Sequence, residues 1–442
     1  MRSKTLDALV SLVRTGRLPD FVARARKLDP ADLADVLSSL DDADRLTAVR
    51  ALPPGISGEA LVEMPEEAHA EDTLAALAPA QAAEIVEELA DDDAADILQE
   101  LDPEAQERIL SEVEDRPDVE RLLSYDEETA GGLMTTHVMA VADTTTAGGA
   151  IEEIRRLSEE IETFYQVFVV DGTRRLVGVL PLKDLVTSPP NRLVREFMDE
   201  SVLRVTPDVD QEAVARLMAR YNLPSVPVVD STGRLLGRVT FDDVIDVVEA
   251  ETTEDLLKFG GVSPDEELSA RWTGAVRSRL PWLYVNVGTA FAAASVVYLF
   301  SDAIQSLKWL AVFMPVIAGM GGNAGTQALA VSVRRIALGQ VPEGREAQIV
   351  GKEMLVGLVN GLAAATLAGL IGTIADGPRF GSVVFLAMTA NLVVAGFAGA
   401  FVPLFLQRLR VDPAVASSIF VTTFTDMCGF FLLLGLATKF LL

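Results

Sequence analysis

Apolar residues follow three different patterns along this chain of 442 residues. In the N-terminal part a Leu or Met recurs every 12 or 13 residues, each followed by a short polar start and a brief amphipathic stretch, as in LDPADLADVLSSL. The recurring positions are Leu28, Leu40, Leu52, Met64, Leu77, Leu89 and Leu101. Pro or Asp just after the leading Leu is typical of a helix start. Because one such unit cannot bury its own apolar face, the repeat predicts an all-α superhelical domain over residues 1–130.

The middle part of the chain is a tandem repeat at an offset of 59 residues. VFVVDGTRRLVGVLPLKDL (167–185) aligns with VPVVDSTGRLLGRVTFDDV (226–244), and each copy predicts a strand, a turn, a strand and a helix start. The amphipathic stretches AGGAIEEIRRLSEEI and QEAVARLMARYN precede the two copies. The pattern predicts two α+β domains, at residues 131–197 and 198–245, and a connecting helical segment at 246–270.

The C-terminal part, residues 271–442, contains five apolar segments that match the ~20 residues a bilayer-spanning helix needs. They are residues 281–300, 309–333, 354–375, 380–407 and 413–438. Nine Lys and Arg residues flank these segments on one side and three on the other. Since basic residues concentrate on the cytosolic side, we expect a multi-pass protein of the plasma (inner) membrane with a cytosolic N-terminal region and an outside C-terminus.

Charge divides the chain at the same place. Residues 1–262 hold 55 acidic and 25 basic side chains, a net of −30, and residues 263–442 hold 10 and 12, a net of +2. The acidity of the first part argues against nucleic acid as a partner and in favour of cations. A solvated acidic face is the ordinary alternative, although an imbalance of this size repels itself unless cations are present.

Asp426, in the stretch VTTFTDMCGF, is the only carboxylate deep within the predicted spans. Ser418 and Thr422 precede it at steps of four, so the three side chains share one helix face. A lipid-facing Asp at mid-helix costs about 2.5–3.5 kcal/mol on insertion scales. Asp426 is therefore either a protonated, hydrogen-bonded structural residue or part of a site for an ion that crosses the membrane.

The second predicted span, PVIAGMGGNAGTQALA, is unusually rich in Gly and polar residues. Its candidate pore-lining residues are Gly321, Gly322, Asn323, Thr326 and Gln327. Pro315 and the glycines are expected to loosen the helix, whereas tight helix packing is the alternative explanation for the glycines.

Two further amides, Asn360 and Asn391, lie in the third and fourth spans. The polar groups of the spans are almost all oxygen donors, which suit Mg²⁺, Ca²⁺ or Mn²⁺ better than zinc or copper.

The tandem repeat resembles a pair of CBS domains, regulatory modules that often bind adenosyl nucleotides. The ribose-contacting pattern of that family is matched in the second copy by Gly237, Thr240 and Asp243. In the first copy Gly178 and Asp184 match but Pro181 replaces the hydroxyl residue. The resemblance thus implies ATP as a ligand of the second copy, while a sheet edge and strand-to-helix turn without any ligand would look similar.

The whole chain resembles the MgtE family of magnesium transporters, through RLPWLYVNVGTAFAAASVV, FMPVIAGMGGNAGTQALAVSVR, VTTFTDMCGF and YDEETAGGLMT. The resemblance implies a multidomain membrane protein: an all-α superhelical N domain, an α+β tandem CBS pair, a connecting plug helix and a five-helix transmembrane domain. It implies a homodimer in membrane lipid with Asp426 in the ion pathway. The family often has an amide where this chain has Ser418.

The family's cytosolic Mg²⁺ sensors lie between the N domain, the CBS pair and the plug helix. The matching acidic positions here are Asp92, Asp96, Asp246, Glu249, Glu254 and Asp255. The stretch DDVIDVVEAETTEDLLKFGGV is predicted to form one helix that ends at its Gly-Gly pair, with Asp242, Asp246, Glu249 and Glu254 along one side.

These features together predict a Mg²⁺-selective transporter or channel that mediates uptake and is closed by cytosolic Mg²⁺, rather than an enzyme. No G-x-x-x-x-G-K-[ST] motif for nucleotide hydrolysis is present. An intramembrane aspartyl protease would need two membrane carboxylates in one chain. A regulatory scaffold with a membrane anchor would explain neither the deep Asp nor the polar second span.

Overall fold

The computed structural model describes residues 3–65, 68–114, 116–157, 164–263, 272–342, 344–412 and 418–442. The chain forms two compact units, Met1–Glu249 and Ala250–Leu442. The end of the predicted helix AGGAIEEIRRLSEEI, the beginning of the predicted fifth span and the flanking Arg271 lie outside the described residues.

The first unit begins with ten short helices. They are α1 (Ser3–Arg14), α2 (Leu18–Ala25), α3 (Pro30–Ser38), α4 (Asp42–Ala51), α5 (Pro54–Val62), α6 (Ala70–Ala75), α7 (Pro79–Val86), α8 (Asp91–Gln99), α9 (Pro103–Leu110) and α10 (Arg116–Leu122). Pro occupies one of the first two positions of six of them. The carboxylates of Asp29, Asp41 and Asp102 accept hydrogen bonds from backbone N–H groups at the starts of α3, α4 and α9.

The repeated Leu and Met residues form the spine of this helical layer. Five of the seven positions are buried in one apolar core, and Leu28 and Leu89 pack against it. The short helices therefore share a continuous core, as the 12-residue repeat predicts.

The α+β part of the first unit contains five strands and four more helices. They are β1 (Ala140–Ala142), α11 (Ala147–Leu157), β2 (Gln166–Val170), β3 (Leu176–Pro181), α12 (Leu182–Thr187), α13 (Gln211–Tyr221), β4 (Ser225–Val229), β5 (Leu235–Thr240) and α14 (Phe241–Gly260), which continues into the second unit. Strand β2 pairs with β1 in parallel and with β3 antiparallel, and β4 pairs antiparallel with β5.

The two copies of the repeat match in atomic detail. Each hairpin has a register shift at the same relative place, after Val169 in one copy and after Val228 in the other. In each turn one Asp carboxylate, of Asp171 or Asp230, accepts bonds from a Thr amide, the same Thr hydroxyl and an Arg amide. These hydrogen bonds lower the pKa of both carboxyl groups. The sequence offset of 59 residues is thus a true structural repeat.

Helix α14 ends at the predicted Gly-Gly pair. Gly261 has a positive backbone φ of 72°, in the left-handed region that favours glycine. The Gly261 amide donates to the Lys258 carbonyl and the Val262 amide to the Leu257 carbonyl, both at 3.0 Å. This pattern of crossed bonds is a Schellman stop, which ends the helix where the sequence predicts.

The second unit is helical beyond α14. Its helices are α15 (Trp272–Leu299), α16 (Ser301–Ser306), α17 (Trp309–Ala337), α18 (Glu346–Asp376), α19 (Pro378–Arg408) and α20 (Ser418–Phe440). Within the described residues α15, α18, α19 and α20 are long and apolar enough to cross a membrane. Helix α17 has 29 residues and coincides with the remaining predicted span. The Gly, Asn and Gln residues in its middle lower its hydropathy.

Helices α18 and α19 form a close antiparallel hairpin through small residues. A Cβ atom on Gly357 would collide with the Leu392 carbonyl oxygen, and one on Gly361 would lie 3.1 Å from the Thr389 carbonyl oxygen. By contrast, a Cβ atom on Gly351, in the same helix, would meet nothing within 4 Å.

We expect Gly357→Ala to destabilise the second unit by about 1–3 kcal/mol, because the added methyl group forces the two helices apart. Gly351→Ala is the matched control, and it should be neutral or gain up to about 1 kcal/mol from helix propensity. Thermal unfolding of both variants in detergent measures the difference. Equal melting temperatures for the two variants would show that the hairpin does not depend on this contact.

Candidate functional site

The Asp426 carboxylate lies half-buried on α20, close to the middle of the helix. It makes no hydrogen bond and no ion pair with any residue that the structure describes. The geometry therefore does not show Asp426 as a hydrogen-bonded structural residue within one chain. The neighbouring Thr425 is fully buried, and its hydroxyl donates to the Thr422 carbonyl oxygen at 2.8 Å.

Glycines of α17 pack directly on the polar face of α20. A Cβ atom on Gly322 would lie 3.2 Å from Thr422 Cγ2, and one on Gly325 would lie 2.8 Å from Val421 Cγ1. Gly321 approaches Thr425 in the same way. Helix α17 runs unbroken from Trp309 to Ala337, so the expectation that Pro315 and the glycines loosen it is wrong. Tight packing accounts for the glycines, and pore lining by Gly321 and Gly322 stays a prediction.

The other polar residues predicted to line the pore make no side-chain hydrogen bonds with the described residues. Asn323 and Gln327 are exposed on α17, and Thr326 is half-buried there. Together with Asp426 the following side chains have no hydrogen-bond partner among the residues described: Asn323, Thr326, Gln327, Ser418 and Thr422. Other membrane threonines, such as Thr423 and Thr438, donate to a backbone carbonyl four residues earlier. The side chains without a hydrogen-bond partner therefore form an oxygen-rich set on α17 and α20.

The two further amides have different environments. Asn391 is fully buried where α17, α19 and α20 meet, and its Nδ2 donates to the Ile317 carbonyl oxygen at 3.1 Å. It packs against Gly321 and Gly429, so it joins helices rather than facing a pathway. Asn360 is exposed on α18.

Glu353 is a membrane-region carboxylate that the sequence reading missed. Helix α18 begins at Glu346 rather than near 354, which places Glu353 two turns inside the helix. Its side chain is only 8% exposed, and its nearest cation is the Lys352 ammonium at 3.9 Å. Asp426 is thus not the only carboxylate within the helices of the second unit.

Asp96 is the centre of an acidic cluster in the first unit. Its carboxyl group keeps contact with water, yet surrounding protein atoms and the charges of Asp93, Asp243, Glu127 and Glu100 raise its pKa to about 7. Like charges at close range favour either a proton or a cation. All the donors are carboxylate oxygens, so the cluster fits a hard divalent cation.

A second carboxylate pair lies beside this cluster. Burial and the charge of Asp246 raise the pKa of Glu63. Burial and the charges of Glu249 and Asp242 raise the pKa of Asp246. The structure thus brings the predicted ligands Asp246 and Glu249 together and adds Glu63, which the sequence reading missed.

Asp91, next to the predicted ligand Asp92, holds the segment that leads into the α+β part. Its buried carboxylate accepts hydrogen bonds from the Thr135 hydroxyl at 2.6 Å and from the amide and hydroxyl of Thr136. Asp92 is also buried, at 7% exposure. Both residues begin α8, and the sequence DDDAAD does not distinguish which one has a structural role.

The candidate nucleotide residues have clear structural tasks. A Cβ atom on Gly237 would lie 2.6 Å from the Thr135 carbonyl oxygen, so glycine allows that segment to reach β5. The Asp243 carboxylate accepts bonds from the Thr240 hydroxyl at 2.6 Å and the Thr240 amide at 3.2 Å. Burial raises the pKa of Asp243 despite these bonds. These contacts form within the chain without a nucleotide.

In the second unit the predicted ligand Glu254 is already paired with a cation. The Lys258 ammonium contacts the Glu254 carboxylate and lies 2.7 Å from Asp412 Oδ2. Burial lowers the pKa of Lys258, but its hydrogen bonds to Asp412 and Glu254 outweigh that effect and raise it. The predicted ligand Asp255 has a raised pKa because of burial and the charges of Asp412 and Glu251.

His69 lies with Glu71 and Asp72 in a group whose ligand atoms are within 4.8 Å of one another. No other group of this compactness occurs in the described ranges. The predicted sensor carboxylates are therefore spaced more widely than a set of direct ligands, a spacing that suits an ion which retains waters.

We expect the first unit to lose stability as pH rises in the absence of divalent cations. The pKa of Asp96 is about 7 in the folded state against 3.8 as the ordinary value. Between these values the folded state binds more protons than the unfolded state, so stability falls from about pH 4 to about pH 7 and stays low above it. Mg²⁺ should restore stability at high pH.

Thermal unfolding of residues 1–262 in chelator, followed by circular dichroism, measures this dependence. Asp96→Asn should reduce the fall in melting temperature, while Glu84→Gln, an exposed change on the neighbouring α7, should leave it unchanged. Identical pH profiles for Asp96→Asn and wild type would contradict the assignment.

Sequence comparisons place these features in one family. A family model described as a divalent cation transporter (MgtE) matches residues 314–436. The MgtE intracellular N domain matches residues 28–128, and CBS domains match 130–190 and 194–250.

Three curated relatives are magnesium transporters named MgtE. The protein of Thermus thermophilus is 39% identical over 73% of this chain and 72% of the relative. Those of Enterococcus faecalis and Bacillus subtilis are 35% and 32% identical over 74% and 73% of this chain, and 72% of each relative.

Two solved structures resemble the soluble part. The soluble part of a magnesium transporter covers 57% of this chain and 99% of its own, with 30% identity and a TM-score of 0.53. The cytosolic domain of the Mg²⁺ channel MgtE in complex with ATP covers 55% and 99%, with 37% identity and a TM-score of 0.52. The predicted fold class is confirmed, and the chain belongs to the MgtE family of divalent cation transporters.

Proposed function

We propose that this protein is a membrane pathway selective for Mg²⁺ that mediates its uptake. The observation that carries the proposal is the set of oxygen groups on α17 and α20, Asp426 among them, that have no hydrogen-bond partner among the described residues. Polar groups at membrane depth cost several kcal/mol each when nothing bonds them, so they must face water, an ion or another chain. Relatives that are 32–39% identical are named magnesium transporters.

A homodimer supplies the second half of this pathway. Two Asp426 carboxylates, one from each chain, then flank a hydrated ion. Mg²⁺ gives up its waters reluctantly, so contacts through water suit the single carboxylate that each chain offers. Gln327 and Asn323, exposed on a single chain, become groups that hydrogen-bond those waters.

The orientation follows from the basic residues. The acidic N-terminal part lies in the cytosol and the C-terminus outside. The membrane potential then drives entry by about 2.3 kcal/mol per charge per 100 mV, and this is doubled for a divalent ion. The protein is a transporter without enzymatic activity, and the absence of a P-loop motif from the sequence supports flow that is not coupled to nucleotide hydrolysis.

Cytosolic Mg²⁺ closes the pathway by binding to the acidic clusters. The raised pKa values of Asp96, Glu63 and Asp246 support this, because burial and the charges of neighbouring carboxylates both disfavour the ionised form when no cation is bound. A ligand that binds only the closed form stabilises it by about 2.7 kcal/mol at a hundredfold over its Kd. At Glu254 the ion must compete with Lys258.

ATP is a further proposed ligand of the CBS pair. The structure of a relative's cytosolic domain in complex with ATP supports it, as does the match of Gly237, Thr240 and Asp243 to the ribose pattern. Hydrogen bonds from Thr240 already hold the Asp243 carboxylate at the start of α14, ready to accept a hydroxyl group.

We expect Asp426→Asn to reduce Mg²⁺ flux into vesicles by about tenfold or more, because the charge attracts the ion while the amide keeps the shape. Asp302→Asn is the matched control, since Asp302 is an exposed carboxylate of the short α16 in the same unit. Its flux should equal wild type. A folded Asp426→Asn protein that carries Mg²⁺ at the wild-type rate would falsify the pathway proposal.

We expect neutralisation of four sensor carboxylates to leave the pathway open at high internal Mg²⁺. The changes are Asp92→Asn, Asp96→Asn, Asp246→Asn and Glu254→Gln. A control removes the same charge at exposed positions elsewhere in the N domain: Asp7→Asn, Glu84→Gln, Glu104→Gln and Glu112→Gln.

Flux and protease sensitivity are measured with Mg²⁺ varied on the cytosolic face. The sensor variant should stay open and protease-sensitive, whereas the control should close and become protected as wild type does. Closure of both variants at the same Mg²⁺ concentration would remove these residues from the sensor.

A further inference from the structure

An apolar cleft lies between the beginning of α18 and the end of α19. Its volume is about 600 Å³, within the roughly 300–1,000 Å³ typical of small-molecule sites. Val350 and Met354 line it from α18, and Phe401 and Phe405 line it from α19. The two phenyl rings stack with centroids 5.6 Å apart and form an aromatic wall. Gly351 keeps the opposite wall open, because no atom lies within 4 Å of where its Cβ would be.

Polar groups occur at one end of this cleft. Glu346 is in the first turn of α18 and Arg408 is the last residue of α19, with Gln407 beside it. Each charge also favours its own helix end. Neither side chain forms an ion pair or hydrogen bond with the part of the chain that the structure describes. The cleft therefore has one cation and one anion at its mouth, unpaired with each other.

The depth of the cleft follows from helix geometry. Each of the two helices has 31 residues and is about 46 Å long at 1.5 Å per residue. A hydrocarbon core of about 30 Å leaves their end turns at the level of the lipid headgroups. From Glu346 to Met354 the helix rises about 12 Å, so the cleft begins among headgroups and extends into hydrocarbon.

We propose that this cleft binds one phospholipid with a phosphate and a primary ammonium group, as in phosphatidylethanolamine. An acyl chain fills the space between Met354 and the two phenyl rings. The Arg408 guanidinium donates to the phosphate, a pairing for which its planar fork is suited. The Glu346 carboxylate accepts hydrogen bonds from the ammonium group.

The paired charges select this headgroup over two others. A choline headgroup carries no N–H to donate to Glu346. A glycerol headgroup has no cation, so its net negative charge would lie near the Glu346 carboxylate and be repelled. A second copy of the chain or a detergent molecule would not depend on both charges.

Native mass spectrometry of the full chain tests the site with dioleoyl phosphatidylethanolamine, phosphatidylcholine and phosphatidylglycerol in turn. We expect one tightly bound phosphatidylethanolamine per chain. Arg408→Gln should weaken its binding about fivefold, the equivalent of about 1 kcal/mol for one charge contact near the membrane surface. Glu346→Gln should weaken phosphatidylethanolamine to the same degree and leave phosphatidylcholine unchanged.

Two further variants separate the cleft from general effects. Gly351→Leu should reduce binding of all three lipids because the new side chain occupies the open wall, while Gly351→Ala should retain it. Arg379→Gln changes a basic residue in the first turn of α19, at the other end of the hairpin, and should behave as wild type. Equal binding of phosphatidylglycerol and phosphatidylethanolamine, insensitivity to Glu346→Gln, or a change in oligomeric state instead of lipid binding would each overturn the proposal.

Discussion

A polar group at membrane depth must be hydrogen-bonded, paired or wet, and this constraint organises the second unit. The chain satisfies it locally wherever it can: Thr423 and Thr438 bond their own helix, and Asn391 bonds the Ile317 carbonyl across a helix crossing. The main exceptions lie on α17 and α20, although the exposed Asn360 amide and the buried Asn391 Oδ1 also have no partner among the described residues. Because the hydrophobic effect does not distinguish lipid from an apolar partner, only water, an ion or a second chain can satisfy those exceptions.

The glycine contacts follow from the same constraint. Gly322 and Gly325 bring the backbone of α17 against Thr422 and Val421, so the two helices that hold the polar groups pack closely together. A larger residue at these positions would separate α17 from α20 and expose the polar groups to lipid. The tight-packing interpretation and the pore interpretation of this segment are therefore complementary, because packing by the glycines positions the oxygen groups beside them.

In the acidic clusters of the first unit a different set of interactions is balanced: burial and repulsion of carboxylates against the binding of protons or cations. Water reaches Asp96, yet burial by surrounding protein atoms raises its pKa, and repulsion from four nearby carboxylates raises it further. A proton or a divalent ion relieves that repulsion equally well in principle, which makes the cluster responsive to both. At Glu254 the chain supplies its own cation, Lys258, which bridges to Asp412 at 2.7 Å. The cluster around Asp96 therefore needs added ions to relieve its repulsion, whereas Lys258 partly neutralises the charge at Glu254.

Local sequence patterns predict most of the fold but only part of the candidate site. The 12-residue and 59-residue repeats, the Gly-Gly stop of α14 and the face of α20 with Asp426 depend on neighbours in sequence, and a sequence displays those. Asn360 and Asn391 read alike, yet one is exposed and the other fully buried, because the contact face of a helix is set by its partners.

Glu353 was missed because its charge, next to that of Lys352, suggested a helix boundary, whereas α18 begins two turns earlier. The pairing of Lys258 with Asp412 joins residues 154 positions apart. A repeating sequence pattern cannot predict a contact between residues so far apart in the chain.

The number of carboxylates at each place bears on what each can do. The proposed pathway must hold its ion weakly enough to release it, and one Asp426 per chain acting through water would provide a modest attraction. A sensor must instead hold its ion at ordinary cytosolic concentrations. In the proposed sensor Asp96 and the four carboxylates around it act together, and their mutual repulsion adds to the gain on binding a cation. Because each added charge increases the attraction for a divalent ion, the acidic clusters should saturate at lower Mg²⁺ than the pathway does. Closure at concentrations that do not yet fill the pathway is what negative feedback on uptake requires.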